Sequence, residues 1–290
     1  MDIGDYYSRS FNGFTKNPKL ALPTLLGYLV IYGISMVIMV IFIFGTLGTD
    51  FLTNVTTGNF NPNSVDFANL MQSFIILYGI IAIVSFIVSS YMSAATIGMS
   101  KSIINGEMPD LGVGFKNGNK YFLKIIAVSI IIGFILMLSL IFGIVGFLFD
   151  HAYGLFPVLT IIGILLALIL WIITLLFIFT NQSIVVGEES VFGSLKDSYQ
   201  LFRENIFDVI VVLVINFILM VCIIAVLTFI NMFLSIIPIL GSILALILTI
   251  IVYSIIFPYF ALVLTHLYMD KKELISSDPD YVPSDPEYVE

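Results

Sequence analysis

The sequence predicts an all-α, polytopic membrane protein with six transmembrane helices, set as three hairpins with interfacial amphipathic elbow helices on the cytoplasmic face. Three observations lead there. Hydrophobic residues make up 60% of the 290 and charged residues 10%, with a mean hydropathy of +1.12; soluble domains hold about half apolar and a quarter charged residues. Runs without Asp, Glu, Lys or Arg recur along the chain, each longer than the ~20 residues a helix needs to cross hydrocarbon. All eleven basic residues fall at the termini or in alternate loops, which the positive-inside rule places in the cytoplasm.

The first nineteen residues show no cleavable-signal pattern, because the apolar run that follows is too long and no small-residue site closes it. Ile3, Tyr7, Phe11 and Phe14 share one helical face, as expected of a short interfacial helix. Asn17-Pro18 ends it, since the residue before proline avoids helical geometry. Six spans follow, at about 20–47, 70–99, 122–149, 155–185, 207–235 and 239–268, together forming one membrane domain over residues 1–268. Asp50 to Asp66 is a turn-rich outer loop without Lys or Arg, and Asp150-His151-Ala152-Tyr153 reads as a tight outer turn. Val209 to Thr265 carries no charge over 57 residues, too long for one crossing; Pro238 and Gly241 divide it.

Arg9, Lys16 and Lys19 precede span one, and Lys101, Lys116, Lys120 and Lys124 separate spans two and three. Lys196 and Arg203 separate spans four and five, and Lys271 and Lys272 follow span six. The expected location is the cell membrane, multi-pass, with both termini cytoplasmic and Asp50, Asp66 and Asp150 facing outward. Of the net charge of −8, the segment from Met269 to Glu290 supplies −5 from seven acids and two lysines. This tail, residues 269–290, carries Ser-Asp-Pro-(Asp or Glu)-Tyr-Val twice, from Ser277 and from Ser284. Rich in proline and acid, it cannot bury a core and is expected to be disordered. Its duplicated peptide suits either solvation or a partner docked with avidity.

The polar elbows repeat. Ser-Ile-Ile-Asn-Gly-Glu (102–107) and Ser-Ile-Val-Val-Gly-Glu (183–188) each follow an even-numbered span, and Phe14-Thr-Lys-Asn, Phe115-Lys-Asn-Gly and Phe202-Arg-Glu-Asn each precede an odd-numbered one. The unit is elbow, span, outer turn, span, three times over. In the third elbow Ser194 is placed to cap a helix with Asp197 in an acidic capping box. Leu195, Tyr199, Phe202 and Ile206 then form an apolar stripe opposite Lys196, Gln200, Arg203 and Glu204. Such a helix either anchors the tilt of its neighbours or contacts a soluble partner.

Residues 98–126, GMSKSIINGEMPDLGVGFKNGNKYFLKII, resemble an uncharacterised domain-of-unknown-function family of bacterial and archaeal multi-span membrane proteins. The closing IPILGSILALILTIIVYSIIFPYFALVLTHLY is similar to that family's last hairpin. The layout of the elbows also resembles the membrane domain attached to some glycerophosphoryl diester phosphodiesterases. The resemblance implies a membrane protein without known catalysis and assigns no catalytic residue.

Ionisable groups at mid-span are costly, about 2.5 to 3.5 kcal/mol on insertion scales, and where present they mark relays and ion sites. None lies in the central spans, so proton relays, voltage sensing and intramembrane aspartyl or metal hydrolysis lose their usual residues. His151 and His266 have no His or Cys partner at ligand spacing, Cys222 sits alone in an apolar run, and no phosphate loop or nucleophile elbow is present. No catalytic residue, cofactor, metal or nucleic acid is expected. Gly79, Ala82, Ser85, Ser89, Ser93, Thr96 and Ser100 recur every three or four residues along span two. This stripe serves either helix packing or, with Asn216 of span five, a weakly polar path for an amphipathic substrate. Asn54-Val55-Thr56 is a glycosylation acceptor pattern in the outer loop, and Asn181-Gln182-Ser183 repeats it at the inner end of span four.

The function expected from these features is non-enzymatic organisation of partners or lipids, in contact with the bilayer and with a cytoplasmic protein at the elbows or the tail. The alternative is a permease-like component moving an amphipathic or lipid-like molecule, served by a separate ATPase. Topology is directly testable in a Cys222→Ala background: an impermeant thiol reagent added to intact cells labels Asp66→Cys and spares Lys116→Cys. The opposite pattern removes the basis of the reading.

Overall fold

The computed structural model describes residues 2–42, 44–45, 67–153, 158–237 and 239–275. Among these the chain is all-helical. In chain order the helices are α1 (Ile3–Lys16), a 3₁₀ turn (Pro18–Ala21), α2 (Leu22–Phe42), α3 (Phe67–Ile104), α4 (Leu111–Tyr153), α5 (Val158–Leu175), α6 (Thr180–Val185), α7 (Val191–Glu204), α8 (Ile206–Leu234) and α9 (Leu240–Lys271). Six stretches are long and apolar enough to cross a membrane: Pro18–Phe42, Met71–Ile104, Leu111–Asp150, Val158–Val185, Ile206–Leu234 and Leu240–Lys271. They match the predicted spans in number and order. The protein is multi-pass.

Besides α9, which takes in Met269, Asp270 and Lys271 of the tail expected to be disordered, two boundaries differ from expectation. Asp150-His151-Ala152-Tyr153 is no turn but the last part of α4. Asp150 reaches instead to the start of α5, where its carboxylate accepts from the Thr160 amide at 2.6 Å and the Thr160 hydroxyl at 2.7 Å; a carboxylate suits the unpaired amides of a helix start. The other difference is that α4 begins at Leu111, so Lys116, Lys120 and Lys124 sit on the same continuous helix as span three. The segment contains no proline, and its one stop signal, Asn117-Gly118, does not end the helix, which runs through it. Asp50, Asn54 and Asp66, the division at Pro238 and the tail residues 276–290 lie outside the described residues.

α3 packs on α2 and α4, α4 on α5, and α9 on α2, α3, α8 and α1. Close approach depends on small residues at both ends of the bundle. Near the far end a Cβ on Gly146 of α4 would fall 2.4 Å from the Leu159 carbonyl of α5. Toward the other end, a Cβ on Gly27 would fall 1.4 Å from the sulfur of Met92, and one on Gly118 would fall 2.6 Å from the ring of Tyr91. Small residues allow such contact between apolar helices, where burial alone gives little drive.

The buried side chains gather at the same end as Gly27 and Gly118. Tyr6, Leu20, Tyr121, Phe179 and Tyr268 are shut off, in clusters drawn from α1, α3, α4, α6, α7, α8 and α9. The rest of the bundle turns its apolar residues outward, among them Ile75, Phe134, Trp171 and Phe217. An outer surface of that kind is stable only against hydrocarbon. Because Arg9, Lys101, Lys120, Lys124, Lys196, Arg203, Lys271 and Lys272 all belong to elements that meet at the packed end, it is called the charged end below.

Candidate functional site at the charged end

α1 begins with a capping box. Asp2 accepts from the Ile3 amide at 2.7 Å, and Asp5 accepts from the Asp2 amide at 3.1 Å. The helix then buries Tyr6 and Ser10, with Ile3, Tyr7 and Phe14 partly covered and only Phe11 of the predicted apolar face fully open. It lies against α9 and not in isolation on an interface. The Tyr6 hydroxyl donates to Asp270 Oδ2 at 2.5 Å, Ser10 Oγ meets His266 Nδ1 at 2.9 Å, and the Tyr7 hydroxyl lies 3.0 Å from both Val212 O and Asn216 Oδ1. Burial, then the bond to Asp270, pushes the Tyr6 hydroxyl above the usual phenol range. It therefore stays a donor.

α7 starts earlier than its sequence suggests. The N-cap is Ser190, whose hydroxyl accepts from the Gly193 amide at 3.1 Å. Ser190 has the extended backbone that a cap requires; Ser194 is already inside the helix, buried, and donates back to Val191 O. The capping box of Ser194 and Asp197 is thus replaced, and Asp197 is released to a larger task. Its carboxylate accepts from Ser183 Oγ of α6 at 2.7 Å, from the Tyr268 hydroxyl of α9 at 2.8 Å and from Lys272 Nζ. Burial alone would raise this carboxyl, but the bonds from Lys272, Ser183 and Tyr268 outweigh it and hold the group below its ordinary 3.8.

The neighbouring residue closes a break. Span four runs as two helices, α5 and α6, joined by residues 176–179 in hydrogen-bonded turns. The amides of Leu176, Phe177, Ile178 and Thr180 bond three residues back, which leaves the Phe179 amide and the Leu176 carbonyl over. Ser198 Oγ accepts from Phe179 N and donates to Leu176 O, both at 3.0 Å. One hydroxyl satisfies both.

The loop between α6 and α7 is gripped from the far side. Lys101 Nζ donates to Val186 O at 3.2 Å, Lys124 Nζ to Glu189 O at 2.9 Å, and Lys120 pairs with Glu188 at 3.1 Å. On the near side Lys271 pairs with Asp208 at 2.5 Å. Tyr268, Lys272, Asp208 and Ser198 were not singled out in the sequence. Their partners lie far off in the chain, and no local spacing signals such a contact.

On the outward face of α7, Lys196, Gln200, Arg203 and Glu204 are exposed, with Gln200 Nε2 donating to Glu204 Oε1 at 2.9 Å. Of the predicted stripe, Phe202 is buried and Leu195 partly so, while Tyr199 and Ile206 are exposed; Ser194, Ser198 and Leu201 complete the inward face. Along α3 the small-residue stripe divides. Gly79, Ala82 and Ser89 are exposed and Ser85 is partly covered; Ser93 accepts from Asn181 Nδ2 at 3.4 Å, Thr96 meets Thr24 at 3.5 Å, and Ser100 donates to Thr96 O. Asn216 meets Tyr7 of α1. Among the described residues no three His, Cys, Asp or Glu side chains converge on a metal position.

No family model, curated protein or solved structure matches the chain.

Ser198→Ala leaves a buried amide and a partly buried carbonyl unpaired, so it should cost about 2–6 kcal/mol, each such group being worth ~1–3 kcal/mol, read as a lowered unfolding midpoint in detergent; an unchanged midpoint would show that the break is satisfied otherwise. Asp197 gives a pH test. Its folded value lies below the unfolded one, so its contribution is fully present above the ordinary 3.8 and is lost as pH falls through the lower folded value. The stability difference between the native chain and Asp197→Asn should therefore be flat from neutral pH down to about the ordinary 3.8 and shrink as pH falls from there through the lower folded value.

Proposed function

We propose that this chain is a non-enzymatic organiser in the cell membrane, with three hairpins hung from a cytoplasmic face and α1 and α7 serving as its elbows. Confinement of all eleven basic residues to alternate loops and termini supports this sidedness. The observation that carries the function is how polar groups are distributed at the charged end. The covered groups with acid-base capacity are bound to neighbours: Asp197 to Ser183, Tyr268 and Lys272, Asp208 to Lys271, Asp270 to Tyr6, and His266 to Ser10. Chemistry requires such groups to face a substrate.

What points outward is a contact surface. Lys196 and Arg203 stand exposed on α7 between Phe192 and Phe207, which are 76% and 82% exposed. Aromatic rings beside cations suit a headgroup boundary or a partner helix. The small-residue stripe of α3 supports the second reading, a permease-like component, because Ser89 is exposed and Ser85 is only partly covered.

Purification in mild detergent separates the two. A lipid or scaffold partner recovered with the native chain, and reduced about tenfold by the pair K196E and R203E, supports organisation; a stoichiometric nucleotide-binding subunit instead supports transport. The pair should leave the unfolding midpoint nearly unchanged, because surface substitutions away from buried contacts are worth within about 0.5 kcal/mol.

A further inference from the structure

Near the end of the described residues Lys272 lies against α7, and the fifteen residues after Ile275 carry charge opposite to the face of that helix that bears Lys196 and Arg203. We propose that residues 276–290 dock on this face, with Lys196 and Arg203 as the anchoring cations, so that the chain covers its own elbow when no partner does. The inference deepens the contact-surface reading above and names the face's resting occupant.

Position is the first argument. Lys272 is bound to Asp197 of α7, and Ile275 packs against the cluster that holds Leu201 and Phe202. The segment therefore starts at α7 itself. At ~3.3 Å per residue its fifteen residues reach at most ~50 Å, far beyond the length of the helix, and the tether raises the local concentration of the segment at that face.

Charge is the second. The segment contains Asp278, Asp280, Asp285, Glu287 and Glu290 and no Lys or Arg. Most other lysines at the packed end are occupied: Lys101, Lys120, Lys124, Lys271 and Lys272 each hold a carboxylate or a carbonyl. Lys196 and Arg203 make no hydrogen bond or ion pair among the described residues. They are seven residues apart, hence on one face and ~10 Å from each other. Of the acids of α7, Asp197 turns inward onto Lys272, while Glu204 accepts from Gln200 and keeps its charge, so the two cations outnumber the one acid on this face. Arg9, the basic residue of α1 nearest its contact with α9, shares its helix with Asp2 and Asp5.

Composition is the third. Each of the two peptides places a tyrosine, Tyr281 or Tyr288, directly after an acid. An acid on one cation and a ring over the guanidinium is a favourable pairing at an exposed site, and either copy can supply it.

The test uses the full chain in nanodiscs of neutral phosphatidylcholine, with Cys222→Ala and spin labels on Phe192→Cys and Val289→Cys. Pulsed EPR should give a narrow distance component at about 0.1 M salt that disappears by about 1 M, as the screening length falls from ~10 to ~3 Å. The narrow component should also vanish in K196E/R203E and in D278N/D280N/D285N. A broad distribution under every condition, or a narrow one that K196E/R203E leaves in place, overturns the proposal. The measurement needs no partner, so failure of docking and failure of partner capture are scored separately.

Discussion

A backbone that breaks inside an apolar bundle leaves an amide and a carbonyl that hydrocarbon cannot satisfy, and the hydroxyl of Ser198 supplies partners for both. That requirement explains why α7 lies where it does. To reach Leu176 and Phe179, Ser198 must sit under the junction of α5 and α6, and this brings Asp197, one residue earlier, within reach of Ser183 on α6 and of Tyr268 and Lys272 on α9. This helix is thus folded against the bundle through its polar residues. Its small inward side chains, Ser194 and Ser198, let the helix come close; larger apolar residues there would hold it away from the carbonyl it must bind.

The three segments that the sequence predicts as elbows share a device and differ in how they use it. Asn17, Asn117 and Asn205 each donate a side-chain amide to the carbonyl four residues back, Gly13, Val113 and Leu201. At Asn17 and Asn205 the helix ends, and a new one begins within two residues. At Asn117 it continues, and the amide instead lies over Gly98 of α3, where a Cβ would fall 2.5 Å from it. The middle elbow therefore contributes a straight helix whose lysines reach across to the loop before α7. Two elbows bend and one braces. The shared bond is consistent with a common repeat, and the departure follows from what each copy packs against.

The six spans were legible because desolvation of charge acts on each segment separately: a charge-free run must be buried in lipid or protein whatever its neighbours do. Helix ends were less so. At Ser190 and Ser194 two serines compete for one cap, and only the extended backbone at Ser190 decides between them. Asp150 to Tyr153 has the polarity of a turn yet stays helical, because its carboxylate finds the first turn of the next helix. The clasp that Asp197 forms with Ser183, Tyr268 and Lys272 was illegible for a different reason. Asp197 and Lys272 are separated by 75 residues and Tyr6 and Asp270 by 264, and nothing in the local pattern of either partner encodes the other.

Three donors on one carboxylate invite the conclusion that the clasp stabilises the fold strongly, but the magnitudes argue for orientation instead. The lysines that bind Asp197 and Asp208 are partly open to solvent, where an ion pair is worth ~0–1 kcal/mol, and drawing a carboxylate out of water costs several kcal/mol before any partner is counted. The hydroxyls of Ser183 and Tyr268 offset that cost, so the net gain is small. The loss from disturbing one member is not small, because it strands the others. Only one placement of α7 against α6 and α9 satisfies every group at once, whereas apolar packing alone tolerates sliding and repacking. The side of α7 that faces away from the bundle is then set as firmly as the side that faces in. A surface meant to be recognised, whether by a partner or by the chain's own acidic segment, depends on that fixed presentation more than on added stability.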